Sequence, residues 1–165
     1  MRTAVNRHLR QAADRYRAFW NRTPNDSKKD ENMEQQDYLK KQIDQLGKVL
    51  AKIFSDVLGL KNNGQFNAGL EITNQTLKNE LDFDIQDLLD IPTENFINTL
   101  TTQKKLTKEN LDKLAEILLL IADNKQGDNK KLYEKCLTIY EHLEKSENIY
   151  TLDRQWKMNR IKNAL

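Results

Sequence analysis

The chain has 165 residues, of which 38% are apolar and 32% charged, and its formal net charge is +2. That length suffices for one domain with a core, and the high charge suits thin helical layers with much solvated surface. Five Gly, two Pro and one cysteine, Cys136, argue against Gly-rich phosphate loops, many-stranded β folds, internal disulfides and cysteine-rich zinc sites.

Residues 3–22 read as an amphipathic helix, with Val5, Leu9, Ala12, Tyr16, Phe19 and Trp20 on one face at steps of three and four. Residues 1–22 hold six of the eight Arg and none of the Lys, against the single acid Asp14, whereas the remainder is acidic on balance. Such a break marks either a piece with its own job or an extension foreign to the domain, with Met33 as an alternative start. Pro24 is expected to end this helix, and the polar residues 23–32 read as a linker.

A long helix is predicted over about 34–59, where apolar residues from Tyr38 and Leu39 to Val57 and Leu58 keep a helical period. Gly47 inside it costs about 1 kcal/mol against Ala, which suggests the close approach of another helix. Gly59 is the expected C-cap, and Asn62-Asn63-Gly64 a turn. The next helix, about 65–80, should bury Phe66, Leu70, Ile72, Thr73, Leu77 and Leu81. A short helix follows and ends before Pro92, and Thr93 with Glu94 starts another that carries Phe96, Ile97 and Leu100.

Thr107 caps a helix over about 108–124, with Leu111, Leu114, Ile117, Leu118, Ile121 and Ala122 on its core face. Gly127 breaks the chain, and Asp128 caps a helix of about 129–145 with Leu132, Tyr133, Cys136, Leu137, Ile139, Tyr140 and Leu143 on its apolar side. Thr151 with Asp153 starts the last helix, bearing Leu152, Trp156, Ile161 and Leu165. No segment alternates with period two, so the fold class is all-α: antiparallel helical hairpins, about six helices besides the N-terminal one.

The hairpin around Gly64, Phe66 and Gly69 looks like the middle of a tetratricopeptide repeat, in which small residues let two helices cross closely. Gly127 stands between a second pair but lacks the aromatic and the small residue. Residues 33–165 also resemble a family of uncharacterised bacterial proteins with a degenerate tetratricopeptide-like hairpin. The resemblance rests on Gln36-Asp37-Tyr38-Leu39, Gln42-Ile43, the Gly64-to-Leu77 hairpin and Tyr150-Thr151-Leu152-Asp153-Arg154. It omits 1–32 and implies a fold without an activity.

No active site emerges, and the expectation is a protein that is not an enzyme, with no cofactor, no metal and no small-molecule substrate. His8 and His142 are too far apart for a local ligand pair, and Cys136 on an apolar helix face is a small hydrophobe. The acidic run Asp82, Asp84, Asp87 and Asp90 fails as a helix-loop-helix calcium loop, since Asp87 stands where Gly is needed and Thr93 where Glu is needed. Asp82 and Asp84 instead suit the start of a short helix.

The expected role is a protein-interaction module. Tyr150, Arg154 and Trp156 are the candidate partner-binding residues because Tyr, Arg and Trp are enriched at binding hot spots, although the same types also serve as capping and core residues. The alternative is nucleic-acid or anionic-membrane binding through the Arg-rich residues 1–22, whose Arg would meet phosphates while Phe19 and Trp20 insert. The plainer reading docks their apolar stripe on the domain or a partner. The basic side chains of the last helix, Arg154, Lys157, Arg160 and Lys162, suit the helix dipole, with phosphate binding as the weaker reading. No apolar run approaches the roughly 20 residues that span a bilayer. Arg2, Arg7 and Arg10 interrupt any signal-peptide core, and a reducing cytoplasm is expected.

Overall fold

The computed structural model describes residues 24–147 and 150–165, with side chains from Met33 onward. The amphipathic helix expected over 3–22 lies outside the described residues. Seven α-helices follow in order: α1 Pro24–Asn62, α2 Phe66–Leu81, α3 Ile85–Asp90, α4 Thr93–Asn98, α5 Lys108–Asn124, α6 Lys130–Glu147 and α7 Leu152–Ala164. A π-helical turn, Thr99–Gln103, extends α4. The all-α class is therefore correct, with no strand among the described residues. No described helix is long and apolar enough to cross a membrane.

The chain divides into two units, the first ending at Gln42 and the second running from Ile43 to Leu165, and the single helix α1 runs through the division. The expected linker at 23–32 is corrected from Pro24 onward: residues 24–32 are helical and α1 starts at Pro24, not near residue 34. Proline stops a helix from its interior, but at the first position its fixed φ and missing N–H cost nothing. Within the first unit, Met33, Tyr38 and Leu39 are exposed, and Gln42 Nε2 donates to the Tyr38 hydroxyl at 3.0 Å.

In the second unit the apolar stripe of α1 turns inward, burying Leu50, Ile53 and Val57. The helix passes through Gly59 and ends at Asn62, and the left-handed residue is Gly64, at φ +73°. The chain then folds back closely: a Cβ on Gly69 would lie 3.2 Å from Leu60 Cβ. Gly69, Thr73 and Leu77 form the buried stripe of α2, while Ile72, expected inside, is 47% exposed. Asp82 closes α2 in the left-handed region. Asp84 then caps α3 through a reciprocal capping box with Asp87, which accounts for the acidic run.

α6 is the central helix of this unit. It packs most extensively on α5, and also against α3, α4 and α7. The α5–α6 pair forms because every apolar residue expected on the core face of α5 is buried. Its ends are fixed by side chains: Thr107 Oγ1 accepts from Asn110 N at 3.3 Å, and Asn129 Nδ2 donates to the Ala122 and Lys125 carbonyls at 2.8 and 2.7 Å. Gly127, at φ +102°, makes the turn, and Asp128 accepts from Lys130 N at 2.9 Å.

Candidate functional site

Helix α7 carries all but one of the candidate residues. Thr151 begins it, its hydroxyl accepting from Arg154 N at 3.3 Å. One flank of the helix is basic at three-residue steps, and that flank meets acids of α5. Arg154 Nε lies 3.1 Å from Asp112 Oδ1, Lys157 Nζ 3.2 Å from Glu116 Oε1, and Arg160 Nη2 2.7 Å from Asp123 Oδ2. Arg154 also grips the end of α6 through Glu147 Oε2 at 2.6 Å, and Lys157 pairs within its own helix with Asp153 at 2.7 Å.

Arg154 and Lys157 are held as cations. Burial works against the charge on Arg154, but its bonds to Glu147 and Asp112 outweigh this and raise its pKa further. Lys157 follows the same balance, with burial offset by bonds to Asp153 and Glu116. The basic side chains of the last helix are paired with acids: Arg154, Lys157 and Arg160 with those of α5, and Lys162 with Glu141 of α6 at 3.6 Å.

The other flank of α7 faces α6 across a shallow groove of about 290 Å³. At its floor Gln155 Nε2 donates to both oxygens of Glu144, at 2.7 and 2.8 Å, beside buried Met158. Glu141 and Lys162 line the rim with Tyr150.

The outward face is apolar where solvent would favour polar groups. Tyr150 is 77% exposed, Leu152 90% and Trp156 63%. Leu152 and Trp156 lie one helical turn apart, and the Arg160 guanidinium stands 5.3 Å from the Trp156 ring centroid. Of the apolar residues that the last helix bears, Ile161 is buried together with Met158, whereas Leu152, Trp156 and Leu165 are exposed, because α7 turns its basic flank to the acids of α5.

The three partner-binding candidates thus separate. Tyr150 and Trp156 are presented to solvent, whereas the Arg154 side chain is only 12% exposed and serves to fix α7 on α5 and α6. Leu152, named from the sequence only as an apolar residue of the last helix, is likewise exposed. The acids of α5 did carry a signal: Asp112, Glu116 and Asp123 share a flank of a strongly apolar helix and match a basic flank at the end of the chain.

The side chains of reactive type are placed for packing. Cys136 is fully buried, its Sγ 3.6 Å from the Ala115 carbonyl oxygen, and burial pushes its thiol far above the ordinary range. Lys135 is buried too, and its desolvation lowers its pKa. His142 lies half-buried at the edge of α6, while His8 is outside the described residues. No group of three or more His, Cys, Asp or Glu that could hold a metal ion occurs among the described residues. Comparison with protein families, with curated proteins and with solved structures gives no match to this chain.

Proposed function

We propose that this protein is a non-enzymatic protein–protein interaction module of tetratricopeptide-like helical hairpins, working in a reducing cytoplasm, and that α7 presents its contact surface. The observation that carries the reading is the exposure of Leu152 and Trp156, one turn apart on a helix pinned by ion pairs, with Tyr150 exposed just before it. Exposed apolar residues scattered singly are ordinary, but an aromatic and aliphatic cluster beside an Arg matches the make-up of binding hot spots. The hairpin reading is supported by the turns at Gly64 and Gly127 and by the close approach at Gly69.

The test is affinity capture from cell lysate on the full chain, compared with the full chain carrying Leu152→Ala and Trp156→Ala. The expected result is a stoichiometric protein retained by the first and lost from the second. Nucleic acid or anionic lipid held equally by both, and released at high salt, would overturn the reading and move function to residues 1–22.

A further inference from the structure

α7 is attached unlike α5 and α6, the two helices it packs on. The seventeen residues of α5 include nine buried ones, whereas the thirteen of α7 bury only Met158 and Ile161. Its remaining hold is polar: Arg154, Lys157 and Arg160 lie on the acids of α5, and Gln155 lies on Glu144 of α6. Beneath it the site is incompletely satisfied. Tyr140 of α6 is fully buried under the Lys157 ammonium, which stands 6.0 Å from its ring centroid, and its hydroxyl has no hydrogen-bond partner among the described residues. A buried phenol left without an acceptor is costly, and a fitted neighbour would supply one.

We propose that the cleft between α5 and α6 is a binding site for a basic amphipathic helix of a partner protein, and that α7 is its intramolecular occupant. The recognition pattern is written in the contacts that α7 makes: cations at positions i, i+3 and i+6 on Asp112, Glu116 and Asp123, and two apolar side chains between them and α6. A partner helix with the same cation spacing, and a side chain that accepts from the Tyr140 hydroxyl, makes every contact of α7 and one more. It displaces α7 by mass action, as a helix laid in a groove. This site is distinct from the outward Leu152–Trp156 face, since neither of those side chains makes any of the contacts by which α7 sits on α5 and α6.

Two measurements on the full chain test this. In native-state hydrogen exchange, the amides of 152–164 are expected to exchange through an opening that leaves α5 and α6 protected, and that opening should grow with ionic strength. Exchange of α7 only together with α5 and α6, in one global unfolding, would overturn the proposal. In the second, the full chain with Met158→Glu and Ile161→Glu, which expels α7, is titrated with a fluorescently labelled peptide of residues 150–165. Saturable binding is expected, weaker by about tenfold or more when Asp112→Lys and Glu116→Lys are added. Absence of binding to a variant whose α5 and α6 amides stay protected would also overturn it. If that variant does not fold, the exchange measurement on the unaltered chain decides.

Discussion

Lys135 of α6 places its ammonium 4.4 Å from the centroid of the Phe96 ring of α4 and donates to the carbonyl of Ile91, the residue that ends α3. One side chain thereby ties the corner between two six-residue helices, each too short to persist unaided, to the central helix of the unit. Lys135→Ala would open a void and strand that carbonyl, at a cost of about 2–4 kcal/mol. Lys135→Met keeps the stem and discards a desolvated charge, so it should cost only about 1 kcal/mol. Urea unfolding of the two variants separates the contributions: equal losses would assign the whole effect to the amine.

Two glycines of α1 should respond oppositely to alanine. At Gly47 a Cβ would stand 3.0 Å from Asn110 Oδ1, and Asn110 is itself 3% exposed, so its amide has little room to yield. The crowding should cancel or exceed the roughly 1 kcal/mol that alanine adds to a helix interior. At Gly59 a Cβ meets nothing within 4 Å and the backbone is helical, so Gly59→Ala should stabilise by up to about 1 kcal/mol. A gain in melting temperature for Gly47→Ala equal to that for Gly59→Ala would contradict the packing of α1 on α5.

What could be read from the sequence was whatever is decided locally. The helices at α5 and α6 announce themselves by apolar period, and Thr107, Asp84 and Thr151 cap through their own third neighbours. Where the sequence misled or was silent, packing decided. Ile72, expected inside, faces solvent because Thr73 holds the inward position of the same helix. Arg154 and Lys135 are hydrophilic and nevertheless enclosed, because their partners sit on helices distant in sequence. At Pro24 the ambiguity is intrinsic, since the same residue ends one helix or begins the next.

The unpartnered hydroxyl of Tyr140 gives a prediction with a pH signature. Removing it in Tyr140→Phe should leave stability unchanged or raise it by about 1 kcal/mol at neutral pH, since no hydrogen bond among the described residues is lost. Burial raises the phenol's pKa in the folded chain, so above its ordinary value near 10 the unfolded chain sheds this proton and the folded one retains it. Its contribution is fully present below that value and is lost as the pH climbs beyond it. Lys135, whose pKa is lowered, acts with the opposite sign in both proteins and drops out of the comparison. Denaturant titrations from pH 8 to 11 should show a smaller alkaline loss for Tyr140→Phe; parallel curves would mean the phenol ionises without unfolding.

Cys136 should be silent towards thiol reagents in the native protein. It is fully buried on the central helix, and its raised pKa leaves almost no thiolate at neutral pH. Maleimide labelling is expected to track the unfolded population across a urea series. Rapid labelling in buffer would show that α6 opens independently of the rest of its unit.

Arg154 and Lys52 provide the final contrast, since both sit in ion pairs but only one is enclosed. Lys52 and Asp56 pair at 2.8 Å within α1, with the lysine side chain 75% exposed, and Lys52→Ala should change stability by no more than about 0.5 kcal/mol. Arg154 is 12% exposed and answers two carboxylates on two different helices. Arg154→Ala removes the side chain that, among the described residues, joins α7 to both Asp112 and Glu147, and it leaves those two acids without that cation, at a cost of about 1–3 kcal/mol. Because the two acids remain partly open to water, part of that cost should be recovered at high salt, where their repulsion is screened. Thermal unfolding of both variants at low and high ionic strength would test this, and a loss for Arg154→Ala no larger than for Lys52→Ala would mean that Met158 and Ile161 by themselves hold α7 in place.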